Sequence, residues 1–148
     1  MPKSMNVPPL RPGRVKDADE VKQLSAQALA FVGDAVQSLY VRAALALSTD
    51  ATGYALHRYT ADIIRSQTQA DAAEKMQDFL DEEELYIYRR GRNAKGGGVP
   101  DHASVAQYRM ATGLEAVLGY RYLCGDTDRL DMLLKRILEL SLPGEGGE

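Results

Sequence analysis

Apolar residues in this 148-residue chain recur mostly at intervals of three and four, the period of helices with one buried face. The spacing predicts a short helix from Asp17 to Leu24. Ser25 can cap a second helix through its side-chain oxygen. That helix runs to about Leu47, with Leu29, Val32, Val36, Leu39 and Tyr40 at helical spacing. The segment Ser48-Thr49-Asp50-Ala51-Thr52-Gly53 reads as a loop. A third helix is expected from Tyr54 to Gln77, with Leu56, Tyr59, Ile63, Ile64 and Ala70 on one side. A fourth covers Asp81 to Gly91, and its acidic start, Asp81 to Glu84, suits the positive end of a helix dipole. Lys95-Gly96-Gly97-Gly98-Val99-Pro100 interrupts the pattern with residues that break helices. A fifth helix begins near Ser104 and ends near Cys124, and a last one covers Thr127 to Leu142. There is no alternating strand pattern and no internal repeat, so the fold class is all-α, a helical bundle.

Hydrophobic residues make up 45% of the chain and tryptophan is absent, which points to one domain with a core of small and aliphatic side chains. Residues 17–142 form the expected folded unit. Residues 1–16 carry Pro2, Pro8, Pro9, Pro12 and Gly13, with Lys3, Arg11, Arg14 and Lys16 as their charges. Proline at that density opposes both helix and strand. This segment reads as a disordered extension or as a basic arm that touches RNA. Residues 143–148 are expected to be a disordered tail.

A net charge of −3 gives no global signature of a polyanion-binding protein, so any such role rests on a local basic patch. Cys124 is the lone cysteine, which excludes an internal disulfide, and His57 and His102 have no zinc-site spacing. No apolar run reaches the roughly 20 residues of a membrane span, and the N-terminus lacks the apolar core of a secretory signal. The expectation is a cytoplasmic protein without a membrane partner.

Two segments depart from ordinary helix composition. In Ala30-Phe31-Val32-Gly33-Asp34-Ala35-Val36 and Thr112-Gly113-Leu114-Glu115-Ala116-Val117-Leu118-Gly119-Tyr120, one acid sits in an otherwise apolar run. An ionised carboxylate there is costly unless it is paired or binds a metal. Gly33 costs a helix about 1 kcal/mol relative to alanine, so a packing or close-approach reason is expected. If Asp34 and Glu115 meet in space, they make a small Mg²⁺ site. A second cluster, Arg89-Arg90-Gly91-Arg92-Asn93-Ala94-Lys95, admits two readings. One is a helix C-terminus stabilised by cations, the other a phosphate clamp. Arg58 and Arg65 share a helix face by their spacing and are further candidates for RNA contact.

Phe31-Val32-Gly33-Asp34-Ala35-Val36 resembles the signature helix of the ribonuclease III catalytic domain, and Leu114-Glu115-Ala116-Val117-Leu118-Gly119 resembles that domain's second acidic helix. The segment from Arg89 to Lys95, the glycines after it, and Gln107-Tyr108-Arg109 leading into Thr112 resemble the Mini-ribonuclease III branch, which lacks a separate double-stranded-RNA-binding domain. The resemblance covers about residues 18 to 142. It implies an all-helical homodimer that cuts double-stranded RNA with Mg²⁺ and leaves 5′-phosphate and 3′-hydroxyl ends. Asp34 and Glu115 match two catalytic, metal-binding carboxylates. Ala30 and Thr112 stand where the full-length enzymes carry two more, on the same helix faces by their i,i+4 and i,i+3 spacing. Arg89, Arg90, Arg92, Asn93 and Lys95 are then RNA-binding candidates.

By the same resemblance, Phe31 is either a core residue or an aromatic that inserts into the partner subunit. The implied substrate is precursor 23S ribosomal RNA, and a large-subunit ribosomal protein is a further partner on this ground alone. The missing acids leave a catalytically silent RNA-binding or ribosome-assembly factor as an alternative. A helical protein-interaction module would leave Asp34 and Glu115 unexplained.

Overall fold

The structure, a computed structural model, describes residues 17–94 and 104–142. The expected tails at 1–16 and 143–148, with the glycine segment 95–100, His102 and Lys95, lie outside the described residues. Within them the chain is helical and contains no strand. The order is α1 (Ala18–Lys22), α2 (Ala26–Ser48), α3 (Gly53–Ile64), α4 (Ser66–Met76), α5 (Glu82–Arg92), α6 (Val105–Leu123) and α7 (Thr127–Ser141).

Local chemistry sets most helix starts. Asp17 accepts from the Asp19 amide at 2.8 Å, and Ser25 accepts from the Ala28 amide at 3.0 Å. Asp81 and Glu84 form a reciprocal capping box on α5, and Ser104 and Gln107 form one on α6.

The core is built around α6. From Ala111 to Arg121 only Thr112 and Glu115 escape full burial. Its apolar residues lie all round the helix, as a helix covered on every side requires. The neighbours α2, α4, α5 and α7 supply Leu29, Met76, Ile87 and Leu133, each buried in the same cluster. Glycines allow the closest approaches. A Cβ on Gly119 would overlap the Leu29 carbonyl, and one on Gly91 would lie 2.7 Å from the Gly113 Cα.

The expected third helix is two helices. At Arg65 the backbone turns extended (φ −64°, ψ 154°), so α3 ends and α4 starts at the same residue. The carbonyls left open by the break are taken by side chains. Thr68 Oγ1 donates to the Asp62 carbonyl at 2.9 Å, and Gln69 Nε2 donates to the Ile63 carbonyl at 2.7 Å. Gln69 in turn accepts from Gln37 Nε2 at 2.6 Å, so the break is tied to α2 by a buried amide pair. Tyr59, expected on the buried side, is exposed, and Thr60 is buried in its stead.

Two further expectations change. Helix α2 is long and apolar enough to cross a membrane by length and composition alone, with a mean hydropathy of 1.2. Here it is a core helix that buries Leu29, Ala30, Gly33, Gln37 and Val41. Its other face leaves Phe31, Leu39 and Leu47 exposed. The acidic start of α5 does more than meet a dipole, because Glu84 is fully buried. It accepts from Arg121 Nε at 2.8 Å and from Arg129 Nη2 at 2.7 Å. Arg121 also reaches Asp81 at 2.8 Å and Asp126 at 3.3 Å, which fastens α5 to α6 and α7.

Candidate active site

Asp34 and Glu115 come together. Gly33 packs against the Glu115 backbone, which sets the side chains of α2 and α6 facing one another across a pocket of about 510 Å³. Burial pushes the Glu115 carboxyl up to about 9, helped by a hydrogen bond with Asp34 and by that residue's charge. Burial and the neighbouring acid therefore both favour the neutral form of Glu115. A buried carboxyl beside a second acid is a place where a cation can replace the proton. The donors are hard oxygens, as Mg²⁺ prefers. Among the described residues no third His, Cys, Asp or Glu joins them, so water would complete the coordination. On donor chemistry, the pair fits a hydrated divalent ion.

Ala30 and Thr112 line the same pocket. Both positions singled out as non-acidic are thus beside the carboxylates. The Thr112 hydroxyl is directed to its own helix, donating to the Tyr108 carbonyl at 2.9 Å.

The basic candidates divide. Gly91 and Ala94 line the pocket, while Arg92 and Asn93, between them in sequence, do not. Arg92 Nε donates to Asn93 Oδ1 at 3.3 Å, and its guanidinium lies 5.8 Å from the Tyr88 ring centre. Arg89 is exposed. Arg90 holds structure: its two Nη groups donate to the Lys22 and Leu24 carbonyls, both at 2.8 Å, closing the end of α1. Arg65 sits between pocket residues Ile64 and Ser66, while Arg58 is exposed on α3 away from the pocket lining. Phe31 is 81% exposed while also lining the pocket, which excludes the core reading within this chain.

Gln27, Ser66, Gln69 and Tyr108 also belong to the site, and sequence reasoning did not assign them to it. Helical spacing carried a signal for two. Gln27 lies seven residues before Asp34, and Tyr108 seven before Glu115, each two turns along the same face. Ser66 and Gln69 gave none, because the break at Arg65 brings them in.

A profile of the ribonuclease III domain matches residues 27–126, which spans both carboxylates. A Mini-ribonuclease 3 from Thermoanaerobacter sp. (strain X514) is 44% identical over 122 residues, covering 82% of this chain and 83% of that one. The chain belongs to the Mini-ribonuclease 3 family. It is therefore a ribonuclease of the ribonuclease III family. The Mini-ribonuclease 3 of Synechococcus sp. is 41% identical over 129 residues, covering 87% of this chain and 91% of its own. A crystal structure of a protein from Fusobacterium nucleatum superposes with a TM-score of 0.73 at 28% identity, covering 83% of this chain and 98% of that chain.

Proposed function

We propose that this ribonuclease is a Mg²⁺-dependent endonuclease of double-stranded RNA that works as a homodimer, with residues 17–142 as its catalytic domain. One observation carries the reading: two carboxyl groups from different helices, Asp34 on α2 and Glu115 on α6, converge in one pocket within hydrogen-bonding reach of each other. Bound there, a divalent ion supplies an activated water and charge stabilisation at the scissile phosphate. The chain's own part is to hold that ion with Asp34 and Glu115, the latter yielding its proton as the ion enters. Products carry 5′-phosphate and 3′-hydroxyl ends.

Arg89, Arg92, Asn93 and Lys95, with Arg58 and Arg65, contact duplex phosphates. Arg90 contributes by fixing α1 against the same segment. Such contacts read the shape and backbone of A-form RNA rather than its bases. Phe31 and the exposed apolar face of α2 meet a second copy of the chain. A two-fold dimer sets two sites across one duplex, one for each strand. The substrate is the paired ends of precursor 23S ribosomal RNA in the cytoplasm, with a large-subunit ribosomal protein as a further partner.

The test is incubation of the protein with precursor ribosomal RNA and with plain duplex RNA, each with and without Mg²⁺. Ion-dependent cuts on both strands are expected. Binding without cleavage at any Mg²⁺ concentration would favour the silent assembly factor.

A further inference from the structure

The pocket around Asp34 and Glu115 is uneven in its chemistry. The two acids are the only charged side chains among the described residues that line it. Among the described residues no arginine or lysine lines it. Among the described lining residues, a substrate phosphate would be met only through an ion on the carboxylates. The remaining polar surface is neutral, and it includes hydroxyls from two helices. Tyr108 stands on α6, two turns before Glu115 on the same face. Ser66 opens α4, just past the break at Arg65. Both line the pocket, and neither hydroxyl is hydrogen-bonded among the described residues. Thr112 lies between Tyr108 and Glu115, but its hydroxyl is already given to a backbone carbonyl. Gln69 is likewise committed to Gln37, Ile63 and Ser141.

Uncommitted hydroxyls beside an acid pair, with no cation among the described lining residues, suit a neutral partner that both donates and accepts. Next to a scissile phosphate the backbone offers one such group, the ribose 2′-hydroxyl, which A-form RNA displays in its wide, shallow minor groove. We propose that Tyr108 and Ser66 are ribose-reading residues: their hydroxyls bond the 2′-hydroxyls of nucleotides flanking the cut, and so set the preference for RNA over DNA. This rests on the nuclease reading above. In that hydrolysis the nucleophile is water, so the 2′-hydroxyl takes no part in the chemistry. Its removal from the substrate then reports recognition alone.

The experiment is a cycle between protein and substrate. Single-turnover cleavage by the wild type, Tyr108→Phe and Ser66→Ala is measured on an all-ribose duplex. It is repeated on duplexes carrying one 2′-deoxynucleotide at each position flanking the cut. One deoxy substitution should slow the wild type roughly three- to tenfold, the size of one neutral hydrogen bond. Tyr108→Phe should slow cleavage of the all-ribose duplex by a similar factor and lose the penalty at one deoxy position. Ser66→Ala should lose it at another. Melting curves should match the wild type, since both substitutions remove a single oxygen. If both variants keep every deoxy penalty in full, or if the wild type shows none, the ribose reading is overturned while the nuclease stands. A wild type that cuts no duplex with Mg²⁺ overturns the nuclease reading, and this inference with it.

Discussion

Gly33 and Glu115 touch backbone to backbone: a Cβ on Gly33 would land on the Glu115 carbonyl oxygen. The contact explains why a glycine next to Asp34 interrupts an otherwise apolar helix. It brings α2 close enough to α6 for the two carboxyl groups to lie within hydrogen-bonding reach. Gly33→Ala cannot be relieved by a side-chain shift, because the obstacle is backbone. Overpacking of this kind costs about 1–3 kcal/mol, and more where the backbone cannot move. A lower melting temperature and the loss of any stabilisation by Mg²⁺ are expected. Gly53→Ala is the control: nothing lies within 4 Å of its added Cβ. It should hold or raise stability, by up to about 1 kcal/mol.

Asp34→Asn and Glu115→Gln should each abolish cleavage and leave duplex binding largely intact, since shape is kept and the charge that holds the ion is lost. Near-normal cleavage by either variant would remove that residue from the site.

Ion binding should also be coupled to pH. Because the Glu115 carboxyl stands at about 9 without an ion, it must shed its proton when the ion enters. Affinity should rise with pH across the neutral range and level off as the pH passes about 9. Titration calorimetry in buffers of different ionisation enthalpy should register proton release near pH 7. Glu115→Gln should show none.

Acid stability should depend on Glu84. Burial pushes its carboxyl up, but hydrogen bonds from Arg129, the Asp81 backbone and Arg121 outweigh burial and hold it below its ordinary value of 4.5. A carboxyl lowered by folding stabilises fully above that value, and the contribution fades as pH falls through the lowered one. Melting temperature should therefore drop on the acid side of pH 4.5. Glu84→Gln should be less stable near neutrality by about 3 kcal/mol, since it breaks a buried pair, and should show a flatter acid limb.

The basic end of α5 should separate binding from structure. Arg89→Ala and Arg92→Ala should weaken duplex affinity for all sequences. They should also make its salt dependence shallower, by a slope of about 0.9 per lost phosphate contact. Arg90→Ala should act differently, because Arg90 closes α1: the melting temperature falls and the salt slope stays the same. An unchanged slope and affinity in both Arg89→Ala and Arg92→Ala would sink the clamp.

Phe31→Ala should weaken the dimer. An exposed aromatic that becomes a buried anchor can carry about 2 kcal/mol or more, roughly a thirtyfold change in association. Sedimentation of wild type and variant over a range of concentrations would show it. A monomeric wild type, or an unchanged dimer in the variant, would remove Phe31 from that role.

Helix positions, caps and the two acids were legible in the sequence because each depends on neighbours a few residues away. Ser25, Asp81 and Ser104 cap where their short polar side chains precede apolar periodicity. An acid inside an apolar run announces its cost wherever the run ends up. The contacts that complete the site are of another kind. The break at Arg65 was hidden because Thr68 and Gln69 satisfy its open carbonyls and Gln37 on α2 anchors it, so local propensity had no part in it. Arg90 and Arg92 look alike in sequence, yet the end of α1 claims the first while the second lies over the Tyr88 ring. Glu84 carries the same charge as its neighbours and differs from them only in what packs over it. Which acid keeps a proton, which arginine is available and which hydroxyls face the pocket depend on burial and distant partners. Those were decided only when α2, α4, α5 and α6 came together.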